Sequence, residues 1–338
     1  MKTSVTLREG LHRRWRSVLR ALVGSAAISA AVVGCGASAA TTSGAGHRPA
    51  RHRASSSSAA AGHTTTTTPR KPSPPPFPRL LPAGASLQPT NFVPAMSWRS
   101  QTAVYVARRP DISLLSFDQR LVTLHLHSGT VDAGSTGWRY GPEIGGSERR
   151  RLVAAFNGAF RLSTSSGGFY SNGRTAAPLS AGLGSIVTYS DGKTDIGAWH
   201  QGVPTAGQQV VSVRQNLRLL IAGGHAADTV GCLLCWGATL GGTSTPARSA
   251  LGITADGHLI WAGGENLTVT SLAGALLAAR VVRAVELDIN PEWVAGYLYG
   301  HRGGRGPLAP VQVVAGQPGI AGQFLAPYSR DFFSVVAR

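Results

Sequence analysis

Short apolar runs separated by glycine-rich turns fill residues 90–338, and this pattern restricts the chain to a sheet-rich fold. The run LVTLHLHSG at 121–129 alternates apolar and polar residues, as a half-buried strand does. A second run, LVAAFNGAF at 152–160, predicts another strand with a more apolar character. Strands and helices do not alternate regularly along the chain, which argues against a parallel α/β sheet.

Two longer segments predict β-hairpins. Residues 185–199 and 250–264 each contain an Asp-Gly pair between apolar runs, namely Asp191-Gly192 and Asp256-Gly257. This pair is the strongest short-range signal for a tight turn between two strands.

One helix is predicted at LAGALLAAR, with Ser271 or Thr270 as its N-cap and Arg280 in its last turn. The apolar segment VVRAVELDI follows directly and predicts a strand. Together these elements predict an α+β fold, a single domain dominated by antiparallel or mixed β-sheet with few helices.

Residues 1–35 predict an export signal of the lipoprotein type. A basic stretch precedes an apolar run of about fourteen residues, which is shorter than the roughly 20 that a membrane-spanning helix needs. VVGC at 32–35 resembles a lipobox in which Cys35 is lipidated, whereas ASA at 37–39 offers an ordinary cleavage site. An uncleaved signal anchor is a third reading, and all three imply export.

Residues 36–89 predict a disordered tether rich in Ser, Thr and Pro, because such a composition buries too little apolar surface to fold. A polar spacer after a lipid anchor would hold the following domain clear of the membrane. Residues 90–338 are of a size that commonly forms one domain.

The net charge of +17 does not indicate a nucleic-acid-binding protein. Residues 1–85 hold twelve Lys and Arg against one acid, whereas residues 86–338 hold twenty against fourteen acids. The basic excess therefore belongs mainly to the leader and tether, and no phosphate-tracking surface is required.

Cys232 and Cys235 are the only cysteines after the leader, and we predict that they form a local disulfide in an oxidising compartment. A zinc site would need two more ligands, and only His225 lies nearby. No metal site and no cofactor-binding motif is predicted.

The segment AVELDINPEW at 284–293 groups three acids in a chain that has few. On a strand, Glu286, Asp288 and Asn290 would share one face, and Pro291 would end the strand. Two nearby carboxyl groups raise the pKa of at least one of them, and glycosidic hydrolysis uses one protonated acid beside one carboxylate. The alternative is structural, with Asn290 as a cap and the carboxylates in ion pairs.

Three further candidates are weaker when taken alone. Asn157-Gly158 closes an apolar strand, where Asn could orient a hydroxyl group or form a plain turn. Arg248 precedes another apolar strand and suits a phosphate, or is an exposed arginine. The segment GFYSNGR at 168–174 predicts a sugar-contacting loop or a simple hairpin.

Seven segments follow one another in order: AFNGAF (155–160), GFYSNGR (168–174), GSIVTYSDGKTDIG (184–197), LRLLIAGG (217–224), ARSALGITADGHLIWAGG (247–264), SLAGALLAAR (271–280) and AVELDINPEW (284–293). Together they resemble the phosphodiester glycosidase family over roughly residues 150–295. The resemblance implies that Asn157, Gly158 and Arg248 bind substrate and that Asp288 is an essential carboxylate.

One motif departs from the family. Where the family has LDGGGSS, this chain has Leu287-Asp288 followed by INPEW. Proline lacks an N–H, and Glu292 adds negative charge, so this loop is a poor cradle for phosphate.

These observations predict an exported glycosidase-type hydrolase that acts on a glycosyl phosphodiester or an envelope glycan. Asp288 would be the nucleophile or base and Glu286 or Glu292 the acid, while Asn157 and Asn290 would orient sugar hydroxyls. The alternative is a catalytically inactive envelope- or glycan-binding module on the same fold. The expected partners are a carbohydrate and, through the leader, a membrane, but no nucleic acid.

Overall fold

The computed structural model of the protein describes residues 77–81, 91–232, 234–237 and 243–338. These residues form two α-helices, α1 (Gly146–Arg149) and α2 (Val269–Ala278), and nineteen strands. The strands are β1 (Arg79–Leu80), β2 (Val93–Trp98), β3 (Gln101–Arg108), β4 (Ile112–Phe117), β5 (Val122–His127), β6 (Leu152–Asn157), β7 (Phe169–Ser171), β8 (Arg174–Ala177), β9 (Gly184–Tyr189), β10 (Thr194–Ala198), β11 (Val210–Gln215), β12 (Ile221–Ala222), β13 (His225–Ala226), β14 (Arg248–Thr254), β15 (Leu259–Gly264), β16 (Val281–Glu286), β17 (Gly296–His301), β18 (Leu308–Gln312) and β19 (Phe332–Ala337).

The strands form two sheets. The larger has the order β13-β12-β16-β14-β15-β4-β3-β2-β1-β17-β6-β19-β5, with β18 added beside β17. In this larger sheet, β1 pairs with β17 in parallel, and all the other strand pairs are antiparallel. The smaller sheet has the order β10-β9-β11-β7-β8 and is antiparallel. The predicted α+β fold, dominated by antiparallel and mixed sheet, is confirmed.

The hairpin predictions are also confirmed. β9 pairs with β10 across the turn that contains Asp191, and β14 pairs with β15 across the turn that contains Asp256. The segment at 168–174 forms the β7–β8 hairpin. These elements were predictable because a tight turn is encoded by its own few residues.

The main hydrophobic core draws residues from both sheets, so it lies where the smaller sheet packs on the larger one. Its centre includes Trp261, which stacks on Phe156 with ring centroids 5.7 Å apart. A second core packs the apolar side of α2, including Leu272 and Leu276, against β14, β15 and β16. The larger sheet is therefore covered on both faces around β14 and β16, where the predicted site residues lie.

Helix α2 begins earlier than predicted. Thr268, rather than Ser271 or Thr270, is the N-cap, because its side chain accepts a hydrogen bond from the Ser271 N–H at 2.9 Å. The helix ends at Ala278, and Arg280 adopts a left-handed conformation with φ of 62°. A left-handed residue of this kind ends helices and turns the chain towards the next element, here β16.

The folded region also begins earlier than residue 90. Arg79 pairs with Ser97 of β2 and with His301 of β17, so this part of the predicted 36–89 tether belongs to the larger sheet. The predicted signal peptide, Cys35 and residues 36–76 and 82–89 lie outside the described residues. Within the described part of the chain, no helix has both the length and the apolar character needed to cross a membrane.

Candidate functional site

β16 ends at Glu286, four residues before Asn290. Beyond it, two consecutive residues pair with one residue of β14: the Leu287 N–H donates to Ser249 O at 2.8 Å, and the Ser249 N–H donates to Asp288 O at 2.9 Å. Such two-to-one pairing interrupts the alternation of side chains. The predicted strand through Asn290, and the shared strand face built on it, are therefore wrong.

Glu286 is enclosed in the interior. Its Oε1 accepts a hydrogen bond from Arg248 Nη1 at 2.6 Å, and Arg248 also donates to Leu267 O and Trp236 O. Burial raises the pKa of Glu286, and the Arg248 guanidinium opposes this shift by holding the carboxyl group in an ion pair. Arg248, predicted to contact a phosphate, instead forms an internal ion pair.

Asp288 lies at the strand end with different partners. Its Oδ1 accepts hydrogen bonds from the backbone N–H groups of Ile289 at 2.8 Å and Asn290 at 2.9 Å. Its Oδ2 lies 3.3 Å from Nη2 of Arg330. Burial raises the pKa of Asp288 to about 6, whereas Arg330 and the two N–H groups act in the opposite direction. Asp288 is 4% exposed.

Arg330 bridges two carboxyl groups. Its Nε donates to Asp132 Oδ2, and its Nη2 donates to Ala159 O at 2.8 Å as well as to Asp288. The guanidinium also lies 5.2 Å from the ring centroid of Trp293, within range of a cation–π contact. The bridge connects Asp288 to Asp132, which lies on the wall of a cavity.

The neighbouring residue, Asp331, makes a second buried ion pair. It accepts hydrogen bonds from Arg214 Nε at 2.8 Å and Nη2 at 3.1 Å. A Cβ atom on residue 158 would lie 2.1 Å from Asp331 Oδ2 and 2.5 Å from Asp331 O. Any side chain at this position would therefore clash with Asp331. Gly158, predicted to contact substrate, therefore allows the close approach of this carboxylate.

Asn157 reaches Asp288 through Ser249. Asn157 Nδ2 donates to Ser249 Oγ at 2.8 Å, and the Asp288 N–H donates to the same oxygen at 3.2 Å. Asn157 Oδ1 accepts from the Ala295 N–H at 3.3 Å. The structure thus brings the predicted residues Asn157 and Asp288 together, with the Asn157 amide bonded inside the protein.

Asn290 has the capping role of the structural alternative rather than that of a sugar ligand. Asn290 Oδ1 accepts a hydrogen bond from the Glu292 N–H at 2.9 Å, which fixes a turn. Glu292 is exposed, whereas Trp293 lies between Arg330 and Arg161, whose guanidinium is 5.8 Å from its ring centroid. The turn that replaces the expected glycine loop thus places an aromatic ring on the bridging arginine.

A cavity of about 590 Å³ opens beside Asp132. Arg161 and Arg174 line it together with Trp138, and the Arg174 guanidinium lies 4.4 Å from the Trp138 ring centroid. Within the described residues neither arginine forms an ion pair. The cavity therefore carries positive charge beside aromatic surface.

Cys232 and Cys235 form a disulfide with an S–S distance of 2.01 Å, as predicted. In the part of the chain that the structure describes, no group of three or more His, Cys, Asp or Glu side chains is arranged to hold a metal ion.

Sequence reasoning missed several residues of this region: Asp132, Arg214, Ser249, Trp293, Arg330 and Asp331. One signal was present, because Arg330-Asp331 places opposite charges directly before the apolar strand β19. The other residues lie in loops or strands that have no local pattern pointing to chemistry.

Comparison with known proteins gives distant similarities of structure. No family profile matches the chain, and no curated protein matches its sequence. The catalytic domain of zebrafish N-acetylglucosamine-1-phosphodiester α-N-acetylglucosaminidase, auto-inhibited by its pro-peptide, is 14% identical with a TM-score of 0.41, covering 73% of this chain and 81% of that one.

Two bacterial structures are similar at the same level. A hypothetical protein from Synechocystis is 12% identical with a TM-score of 0.35, covering 72% of this chain and 65% of its own. A Burkholderia pseudomallei protein, described by its name as exported, is 11% identical with a TM-score of 0.36. The match covers 70% of this chain and 75% of that one. These similarities are too distant to assign an activity.

Proposed function

We propose that the protein is an exported glycosidase-type hydrolase that acts on a negatively charged glycoside, a glycosyl phosphodiester or an acidic envelope glycan. The observation that carries this proposal is the Arg330 bridge between Asp288 and Asp132, the residue on the cavity wall. The ordered sequence segments that resemble the phosphodiester glycosidase family point in the same direction.

Asp288 and Asp132 would supply the two carboxyl groups that glycosidic hydrolysis needs. Because both carboxyl groups contact the same guanidinium, they lie closer together than about 9.5 Å. That distance is the upper limit for the acid and base of inverting glycosidases. A pKa of about 6 keeps part of the Asp288 population protonated near neutral pH, which suits a general acid. Asp132 would then be the base or nucleophile. Glu286 is a weaker choice for the acid because it is enclosed against Arg248.

The charge of the cavity supports an anionic substrate. Arg161 and Arg174 present guanidinium groups, which match the oxygens of phosphate and carboxylate. Trp138 offers an aromatic surface of the kind on which a sugar ring packs.

The leader supports action outside the cytoplasm. We propose that residues 1–35 direct export, with lipidation of Cys35 as the anchor, and that the tether within 36–89 carries the glycosidase-like domain of 90–338, together with Arg79–Leu80, clear of the membrane. Its partners would be a carbohydrate substrate and the membrane.

The test compares turnover of a glycosyl phosphodiester with that of the matching uncharged glycoside. Arg161→Gln is expected to raise KM for the charged substrate about tenfold and to leave the uncharged one unaffected, because one charge-assisted contact is lost. Asp132→Asn should reduce turnover of both. The exposed Arg150→Gln is the matched control, and equal effects of Arg161→Gln and Arg150→Gln would refute the assignment.

A non-catalytic glycan-binding module is the second candidate. The 4% exposure of Asp288 favours it, since a substrate must reach a catalytic acid, and so does the loss of the glycine loop. This alternative predicts saturable binding of the charged glycoside by wild-type protein, with no product formed after prolonged incubation.

A further inference from the structure

A second cleft, of about 380 Å³, lies between the edge strand β5 and the smaller sheet. Thr123 and His125 line it from β5, and Asn172 lines it from the β7–β8 turn. The Asp191-Gly192 turn and Arg338 close another side. None of its lining residues lines the cavity beside Asp132.

The cleft is rich in unpaired positive charge. Arg139, Arg151 and Arg338 line it, and among the described residues none of them forms an ion pair. Nη2 of Arg338 is buried and has no hydrogen-bond partner within the described part of the chain. Asp191 is the single acid in the lining. Three arginines against one acid give the cleft an excess of positive charge, which favours an anionic ligand.

Two of the arginines that line the cleft, Arg338 and Arg151, are held by backbone carbonyl groups. Arg338 donates from Nη1 to Asp191 O at 2.8 Å and from Nε to Val122 O at 3.0 Å. Arg151 Nη1 donates to Ala337 O at 3.2 Å, which brings this side chain beside the residue that precedes Arg338. Fixed guanidinium groups lose less side-chain entropy when they bind an oxyanion.

His125, which lines the cleft, is held in place by two neighbours. Its Nδ1 lies 3.0 Å from Glu148 Oε1, and its ring stacks on Tyr140 with centroids 4.2 Å apart. Burial would raise the pKa of Glu148, but hydrogen bonds from His125 and His127 outweigh it and hold that pKa well below its usual range. The ionised Glu148 therefore fixes the His125 ring, and no described residue is bonded to His125 Nε2.

We propose that this cleft is a binding site for a sugar-sized molecule that carries a phosphate or a carboxylate. The oxyanion contacts Arg151, Arg338 and Arg139, and His125 Nε2 forms a hydrogen bond with the ligand. A volume of about 380 Å³ lies in the range of pockets that take small organic ligands. The site is separate from the cavity used in the proposed hydrolysis and does not depend on that activity.

Calorimetric titration of the full-length protein tests the site, with inorganic phosphate, glucose 6-phosphate, glucuronate and glucose as probes. The charged sugars are expected to bind and glucose is not. The double variant Arg139→Gln/Arg151→Gln should weaken binding of the charged sugars at least about tenfold, because two charge-assisted contacts are lost. The exposed Arg150→Gln, adjacent in sequence but outside the cleft, is the matched control.

Three results would overturn the proposal. Neither charged sugar binds, or Arg150→Gln weakens binding as much as Arg139→Gln/Arg151→Gln does, or Asp288→Asn abolishes binding. Preference for glucose 6-phosphate over glucuronate would identify phosphate as the recognised group, and the reverse would identify carboxylate. His125→Gln gives a further check, since binding unaffected by it would remove histidine from the site.

Discussion

Glu286 and Asp288 are two positions apart, are both almost fully buried, and each meets an arginine, yet they lie in different regions. Glu286 is in an interior region that Arg248 completes from the neighbouring strand. Asp288 is in a strand-end region, where Arg330 connects it to Asp132 beside an open cavity. Burial raises the pKa of both carboxyl groups, so a raised pKa alone does not identify the functional one.

The two regions differ in their access to a cavity and in the number of partners that each arginine has. Arg248 has one carboxylate partner, whereas Arg330 serves two and also contacts the Trp293 ring. Removal of one ion-pair partner should therefore reduce stability more in the interior region than in the strand-end region. Spacing along a strand therefore predicts neither the partner of a side chain nor its route to solvent.

The largest expected effect is that of Arg248→Gln. It should lower the free energy of unfolding by about 3–5 kcal/mol, because Glu286 is left buried without its counter-ion. Urea denaturation measures this change. Arg283→Gln, which breaks a partly exposed pair with Asp195, is the control and should cost less than about 1 kcal/mol.

The double variant Arg248→Met/Glu286→Leu should recover most of the lost stability, since apolar residues of similar volume replace both charges. If Arg248→Gln costs no more than Arg283→Gln, the interior region does not depend on the ion pair.

Asp288→Asn tests the strand-end region through its pH dependence. A carboxyl group whose pKa is about 6 when folded and about 3.9 when unfolded makes the wild type lose about 2–3 kcal/mol of stability as pH rises from 4 to 7. The folded state binds more protons in this window, so stability falls as pH rises. The difference in unfolding free energy between Asp288→Asn and wild type should grow by that amount in favour of the variant.

Denaturation curves at pH 4, 5, 6 and 7 measure this difference. Asp228→Asn removes the same charge from an exposed position and separates the effect of net charge from that of burial. A difference that shrinks with rising pH would mean that Arg330 lowers the pKa of Asp288 instead.

Ser249→Ala should have a smaller effect, because it removes one hydroxyl that connects Asn157 to the Asp288 backbone. We expect a loss of about 1–2 kcal/mol, the cost of leaving the two buried N–H donors without this acceptor. Thermal unfolding compares it with the exposed Ser135→Ala. Identical melting temperatures for both variants would contradict the proposed connection.

Much of the fold could be predicted because its signals are local. The alternation at β5 and the Asp-Gly turns of β9–β10 and β14–β15 are encoded by a few adjacent residues. The start of α2 was misplaced because Thr268, Thr270 and Ser271 all suit a cap, and the choice between them depends on the fold around the helix.

The candidate site could be predicted only in part. Asp288 and Asn157 were identified from strand ends and from the family resemblance, and the fold brings them together through Ser249. Arg330 lies 42 residues from Asp288 and 198 from Asp132, so sheet pairing rather than sequence spacing brings them into contact. The bulge opposite Ser249 also has no sequence signal, which is why Glu286 was wrongly placed on a common face with Asp288.

The most direct test of Asp288 as the general acid compares turnover of a glycosyl phosphodiester by Asp288→Asn and Glu286→Gln. The amide introduced by Glu286→Gln retains an oxygen that can accept from Arg248, and the amide introduced by Asp288→Asn retains one for the two backbone N–H groups. Per folded molecule, Asp288→Asn is expected to lower kcat about 10²- to 10⁴-fold, because the general acid is lost, while Glu286→Gln turns over near the wild-type rate. Wild-type turnover by Asp288→Asn, or a loss confined to Glu286→Gln, would contradict this role of Asp288.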